Sequence, residues 1–233
     1  MNVMKYDNII KGVFRERPNR FIAKVEIEGV LETVHVKNTG RCRELLIDGS
    51  TVYLSVADNP DRKTKYDLIC VEKKTENGTL LINMDSQIPN DVAGEWLKSC
   101  GMFSQIAVIR REVKYGKSRF DFYIEDGNRK AFIEVKGVTL ENNGLAMFPD
   151  APTERGVKHI NELAECLSEG YEAYILFVIQ MKGVYLFSPN DKTDPDFSKA
   201  LRVAHNSGVK ILAVDCVVTP DSIIADDFID IKL

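Results

Sequence analysis

Several signals that would assign this chain early are missing from it. No run approaches the roughly 18 consecutive apolar residues that a membrane-spanning helix needs, which excludes an ordinary helical span. The start, Met-Asn-Val-Met-Lys-Tyr-Asp, has no apolar signal core, so the protein is expected to stay in the cytoplasm. The five cysteines (Cys42, Cys70, Cys100, Cys166, Cys216) are odd in number and scattered, with no Cys-x-x-Cys pair. Reduced, mostly buried thiols are expected, and neither a disulfide framework nor a zinc site. Internal repeats and low-complexity segments are absent. Excess positive charge is lacking too: the net charge is −4, which argues against a generally basic nucleic-acid coat.

What is present describes an ordinary globular protein. The 233 residues are 44% hydrophobic and 28% charged, enough for one large domain or two modest ones. Charge is unevenly placed. Residues 1–80 carry 14 Lys+Arg against 12 Asp+Glu, and the remainder 17 against 23. Within the acidic part, Arg110 to Arg119 holds five basic residues and one acid. Such a local patch matters more for phosphate binding than the total.

The first eighty residues read as short strands with polar turns: "RFIAKVEI", "LETVHV", "TVYLSVAD" and "YDLICVEK". "GRCRELLIDGS" reads as one short helix between strands, and Asn38 to Arg41 as a turn. About five strands and a single helix suggest a small closed barrel of the OB-fold kind. From Asp91 the pattern alternates. Helices are expected in "DVAGEWLKSC", over 153–168 and in "DFSKALRVAHNSG", with strands at 107–115, 120–125, 131–136, "AYILFVIQ" and "VKILAVDCVV". The fold class is mixed α/β, with the boundary in the Gly/Asn/Ser/Pro-rich stretch from Gly78 to Asn90.

The chemistry concentrates in "SRFDFYIEDGNRKAFIEVKG", Ser118 to Gly137. Two β-rich runs around Glu-Asp-Gly-Asn read as an antiparallel hairpin. Side chains at i and i+2 share a strand face, so Glu134 and Lys136 point the same way, and Asp121 on the partner strand can sit beside them. Paired carboxylates bind Mg²⁺ or Mn²⁺ through oxygen, the metal adds Lewis acidity for phosphodiester hydrolysis, and the lysine can hold water or phosphate. The competing reading is a structural ion pair at a sheet end. In "PDAPTERGVKHINELAECL", Asp150 or Thr153 can cap a helix whose apolar face is Val157, Ile160, Leu163, Ala164 and Leu167. Arg155, His159 and Glu162 fall on a different, polar face, where Arg155 and His159 could meet a scissile phosphate. Gly156 inside that helix suggests close approach by another group. On the barrel, Arg15, Arg17, Arg20, Lys37, Arg41, Arg43, Arg62, Lys63 and Lys65 could line one nucleic-acid-binding surface. His35 reads as a strand residue and not a ligand.

These strings together are distinctive. "HVKNTGRC" (35–42), "ADNPDRKTKYD" (57–67), "RREVKYGKSRFDF" (110–122), "EVKGVTL" (134–140) and "FPDAPTERGVKH" (148–159) occur in an order that resembles the sugar fermentation stimulation protein A (SfsA) family over nearly the whole chain. The resemblance implies an N-terminal OB-fold barrel (1–82) and a C-terminal restriction-endonuclease-like domain of the PD-(D/E)xK type (83–233). It implies DNA binding, and a link to regulation of sugar metabolism genes. It places the metal carboxylates at Asp121 and Glu134 and the nuclease lysine at Lys136, with Arg155 and His159 as further catalytic candidates. Arg41, Arg43, Lys65, Arg110, Arg111, Lys114 and Arg119 are the expected nucleic-acid contacts. Glu95 is a weaker candidate for an extra acid from the preceding helix. Asp121 follows Ser-Arg-Phe and not Pro, so the superfamily motif is not literal here. A metal-dependent nuclease, a DNA-binding regulator using the fold as a scaffold, and an enzyme on a small phosphorylated metabolite remain as alternatives.

Overall fold

Alternation sets the architecture of the first part of the chain. Val34 and Val36 are buried around half-exposed His35, and Val52 and Leu54 around Tyr53, so one face of each strand lines a core. The computed structural model describes residues 3–38, 40–59, 61–76 and 78–233; Thr39 of the expected Asn38–Arg41 turn lies outside them. The strands are β1 (Met4–Lys5), β2 (Ile9–Asn19), β3 (Ile22–Ile27), β4 (Val30–Val36), β5 (Thr51–Val56), β6 (Tyr66–Thr75) and β7 (Gly78–Asn83). They pair in the order β4-β3-β2-β5-β6-β7, and β4 also pairs in parallel with β6, which closes a five-stranded ring with β7 on its flank. The expected small barrel is formed.

Three local expectations differ. "GRCRELLIDGS" makes only turns: Cys42 takes φ +43°, Leu45 and Leu46 donate back to the Cys42 carbonyl, and no helix propagates. "GTLLIN", assigned to the boundary stretch, is strand β7 because its Ile82 fills the barrel core. Met4–Lys5 pairs with a strand of the second sheet, not with the barrel.

That second sheet follows α1 (Ile88–Leu97) and comprises β8 (Val108–Tyr115), β9 (Ser118–Asp126) and β10 (Arg129–Val138). Next come β11 (Leu140–Asn142), β12 (Leu145–Phe148), α2 (Glu154–Ser168), β13 (Glu172–Ile179) and β14 (Leu186–Pro189). The chain ends with α3 (Pro195–Asn206), β15 (Lys210–Thr219), β16 (Ser222–Phe228) and β17 (Asp230–Ile231). The main sheet runs β1-β16-β15-β13-β10-β9-β8, with β10, β13 and β15 parallel; a small sheet runs β11-β12-β14-β17. One face is covered by α1 through Val92, Trp96 and Leu97 against Phe122, Ile133 and Val135. The other is covered by α2 and α3 through Ile160, Leu163, Phe197 and Leu201 against Phe132 and Phe177, in a core continuous with the barrel's. Thr153 caps α2 by accepting from the Gly156 amide, and Phe197 of α3 packs where a Gly156 Cβ would stand.

The barrel is tied to this layer by polar contacts. Gln180 donates to the Asn83 and Asp85 carbonyls, Lys73 pairs with buried Glu141 at 2.6 Å, and the Arg41 amide donates to Asp150 at 2.9 Å. All five cysteines are free, and all but Cys100 are buried. Among the described residues no helix is long and apolar enough to cross a membrane.

Candidate active site

The hairpin forms as its sequence dictates: β9 and β10 pair antiparallel from Asp126–Arg129 to Phe122–Ile133, with Gly127 at φ +60° in the turn. At Asp121 the regularity breaks. Phe120 packs in the α2-side core and Phe122 in the α1-side core, although i and i+2 normally share a face. On neighbouring β8, Glu112, between the partners of Phe122 and Phe120, has φ +57°. The described β9–β10 pairing stops at Ile133, and the Val135 amide is met by the Asp121 carboxylate at 2.7 Å. The other Asp121 oxygen accepts from Asn90, in the first turn of α1, at 2.8 Å.

Glu134 is 3% exposed and faces α2. Its Oε1 accepts from Lys136 Nζ at 2.5 Å and from His159 Nδ1. Its Oε2 is buried without a hydrogen-bond partner. His159 Nε2 in turn lies 3.4 Å from Arg155 Nε. Four of the expected residues therefore form one chain, Lys136–Glu134–His159–Arg155, with Asp121 beside it. The helical position of His159 corrects the expected polar face. Gly156, His159, Ile160 and Leu163 form the stripe turned to the sheet, His159 is 5% exposed with its ring edge-on to Phe120, and of Arg155, His159 and Glu162 only Arg155 is exposed.

The two carboxylates differ electrostatically. Burial and the nearby Glu134 charge push the Asp121 carboxyl above its ordinary range, only partly offset by the Val135 amide, Lys136 and Asn90. Burial also penalises ionised Glu134, but His159 and Lys136 more than compensate and hold its carboxyl below the usual value. A charged Glu134 with a bare buried oxygen, next to a second carboxylate that is costly to ionise, is a donor set suited to a hard divalent cation. Among the described residues the acid cluster with metal-like spacing is Asp215, Asp226 and Asp227. There the Lys182 ammonium already contacts all three, at 2.7–3.0 Å.

The expected nucleic-acid contacts fall in separate places. Arg119 lines a cavity with Arg155 and His159. Arg110 pairs with Glu125 and Arg111 with Asp91, while Lys114 is exposed on the same edge strand. Arg41 and Arg43 line a barrel cavity of about 300 Å³ together with Arg20. Lys65 lies apart, over the Tyr66 ring. Arg17, grouped with the surface cations by sequence, instead donates to the carbonyls of Arg20, Asn38, Gly40 and Arg41 and so builds the loop. Arg15, Lys37 and Arg62 are each ion-paired. Glu95 pairs with Lys98, and the α1 side chain that reaches the centre is Asn90, which no sequence signal marked.

Comparison with known proteins agrees with this organisation. Residues 16–82 match the family model described as the SfsA N-terminal OB domain, and residues 87–222 that described as the sugar fermentation stimulation protein RE domain. A sugar fermentation stimulation protein homolog of Desulfitobacterium hafniense is 60% identical over 230 residues, covering 99% of each chain. One from Clostridium beijerinckii is 56% identical, covering 99% of this chain and 100% of the relative. The structure of Pyrococcus furiosus SfsA in complex with Ca²⁺ superposes with a TM-score of 0.84 at 28% identity, covering both chains fully.

Proposed function

The chain belongs to the sugar fermentation stimulation protein (SfsA) family, and we propose that it is a cytoplasmic DNA-binding protein whose α/β part hydrolyses phosphodiester bonds with Mg²⁺ or Mn²⁺. The observation that carries this reading is the bare, buried Glu134 Oε2 beside the Asp121 carboxylate. Asp121 and Glu134 would hold the metal, which when bound supplies Lewis acidity toward a phosphate oxygen and its attacking water. That the Pyrococcus relative was solved with Ca²⁺, another oxygen-seeking cation, supports the ligand class.

In this reading each neighbour has a task. Asn90 and the Val135 amide fix both Asp121 oxygens. His159 orients Glu134 through Nδ1, leaving Oε2 free to turn to the ion. Lys136, on the face of Glu134, offers its ammonium to the attacking water or to the charge that grows on phosphate. Arg155, at the solvent edge, reaches toward the phosphate. The barrel cations Arg41, Arg43 and Lys65 and the β8–β9 cations Arg110, Arg111, Lys114 and Arg119 hold the DNA backbone.

The test is cleavage of duplex and single-stranded DNA in Mg²⁺ and Mn²⁺ by the wild type and by Asp121→Asn. Cleavage by the wild type and loss in the variant, with DNA binding retained, is expected. DNA binding without cleavage in either metal would replace hydrolysis with scaffold binding, and a wild type that neither binds nor cleaves DNA would refute the proposal.

A further inference from the structure

Beside His159, where the β8–β9 turn faces the first turns of α2, lies a cavity of about 530 Å³, lined by Lys117, Ser118, Arg119, Glu154, Arg155, Lys158 and His159. Four cations meet one carboxylate there, in a protein of net charge −4. Outside the barrel cluster of Arg17, Arg20, Arg41 and Arg43, the other guanidinium groups are neutralised at close range: Arg15, Arg62, Arg110, Arg111, Arg129 and Arg202 each meet a carboxylate at 2.6–3.1 Å. In the cavity, Lys117 and Arg155 pair with no carboxylate among the described residues. Arg119 and Lys158 have only long contacts, to exposed Glu112 at 3.5 Å and to largely buried Glu162 at 3.7 Å.

A second observation points the same way. Ser118 is 7% exposed, and its Oγ is buried with no hydrogen-bond partner. A desolvated hydroxyl without a partner is unfavourable unless something outside the chain completes it. A bare hydroxyl, two guanidinium groups and two ammonium groups around one hollow match the tetrahedral oxygens of a phosphate, which accept from all of them.

We propose that this cavity is a phosphate subsite of the hydrolytic centre, holding a nucleic-acid phosphate adjacent to the one cleaved; the inference rests on the hydrolytic reading above. The adjacency follows from His159. Its Nδ1 side bonds Glu134 and its Nε2 side meets Arg155, so the width of an imidazole separates the cavity from the metal carboxylates. A phosphate seated among Lys117, Ser118 and Lys158 is therefore a neighbour of the reacting group. Internal backbone phosphates and a terminal phosphate share this chemistry.

The experiment measures affinity for a labelled DNA duplex by fluorescence anisotropy across a salt series, with Mn²⁺ affinity of each protein measured in parallel by calorimetry. The proteins are the wild type, the Lys117→Gln/Lys158→Gln double variant and Ser118→Ala. One phosphate contact fewer lowers the slope of log affinity against log salt by about one. The double variant is expected to show that change and to bind about tenfold more weakly at low salt, with Mn²⁺ affinity unchanged. Ser118→Ala is expected to weaken DNA binding while leaving the melting temperature unchanged or slightly higher, because it removes a hydroxyl that nothing in the chain satisfies. A structural role for Ser118 predicts a lower melting temperature and unchanged binding. Loss confined to 5′-phosphorylated linear duplex assigns a terminal phosphate; equal loss on closed circular DNA assigns an internal one. If the wild type binds DNA and the double variant binds with the same affinity and slope, the subsite is overturned while the hydrolytic reading stands. A wild type that does not bind DNA at all overturns both.

Discussion

Glu134→Gln separates the metal role of Glu134 from its structural one. Glu134→Ala does not, because it would leave the Lys136 ammonium, 15% exposed, and the His159 Nδ1–H facing a void. Removing one partner of a buried ion pair costs about 3–5 kcal/mol whatever the site is for. Glutamine keeps the shape and a carbonyl oxygen for those donors, so the stability loss should be about 1–2 kcal/mol. What it removes is the charge on the bare Oε2. Changing a residue that merely orients a metal ligand costs about 10–100-fold in affinity, so losing a ligand's charge should cost at least about 100-fold. At metal concentrations 100 times the wild-type Kd, binding stabilises the fold by about 2.7 kcal/mol. For a chain of this size that raises Tm by about 5–10 °C. The assay is a thermal melt of both proteins with and without Mn²⁺ at that concentration. The wild type should rise by that interval and Glu134→Gln by no more than about 2 °C. An equal rise in both would refute the argument. If that rise then vanished in Asp226→Asn, the ion would belong to the Asp215 cluster, having displaced Lys182.

Two further outcomes follow from the same geometry. The Asp121 carboxyl is raised, so below that raised value the metal must displace its proton: calorimetry should show proton release on Mn²⁺ binding that grows, and affinity that falls, as pH drops through it. The metal-free fold has the opposite sign at Glu134, whose lowered carboxyl contributes stability above its ordinary range that is lost as pH falls through the folded value. At Gly137, an added Cβ would stand 2.6 Å from Gln180 Oε1 and 2.7 Å from Pro89 Cγ, at the start of α1. Gly137→Ala should shift Asn90 away from Asp121 and lower kcat by about 100-fold with DNA affinity unchanged, since misplacement by about 1 Å is enough for such a loss; an unchanged kcat would show that α1 yields without moving Asn90.

The parts of the centre legible in the sequence are those governed by period and turn chemistry. Gly127 in a hairpin turn, and the i, i+2 spacing of Glu134 and Lys136, decide that both face one way, and the strands obey. His159 was misplaced because a helical pattern sorts residues by polarity, and an imidazole that satisfies its nitrogens internally can lie on the buried stripe. The better signal was its setting, one residue before Ile160 and three after Gly156, both buried. Asp121 was placed on the right strand, but its exact position depends on a break that no period-2 rule contains: Phe120 and Phe122 go to opposite faces. Asn90 and Ser118 carried no signal at all, since an asparagine at a helix start reads as a cap and a serine at a turn as a turn.

The same limit explains the barrel. A run of arginines looks alike in sequence whether it meets solvent, a carboxylate or a carbonyl, and only packing tells them apart. Arg17 of β2 gives its guanidinium to the carbonyls of Arg20, Asn38, Gly40 and Arg41, and the Arg41 amide donates to Asp150, just ahead of the Thr153 cap of α2. Gly40 sits in that contact with no room for a Cβ, which would lie 2.5 Å from Asp150 Oδ2. The helix that delivers Arg155 and His159 to Glu134 therefore begins within a few residues of the point where the barrel loop docks. A cation surface at Arg20, Arg41 and Arg43 and the carboxylate pair are thus joined through the direct Arg41–Asp150 contact, which is the arrangement needed if one strand of nucleic acid is to touch both.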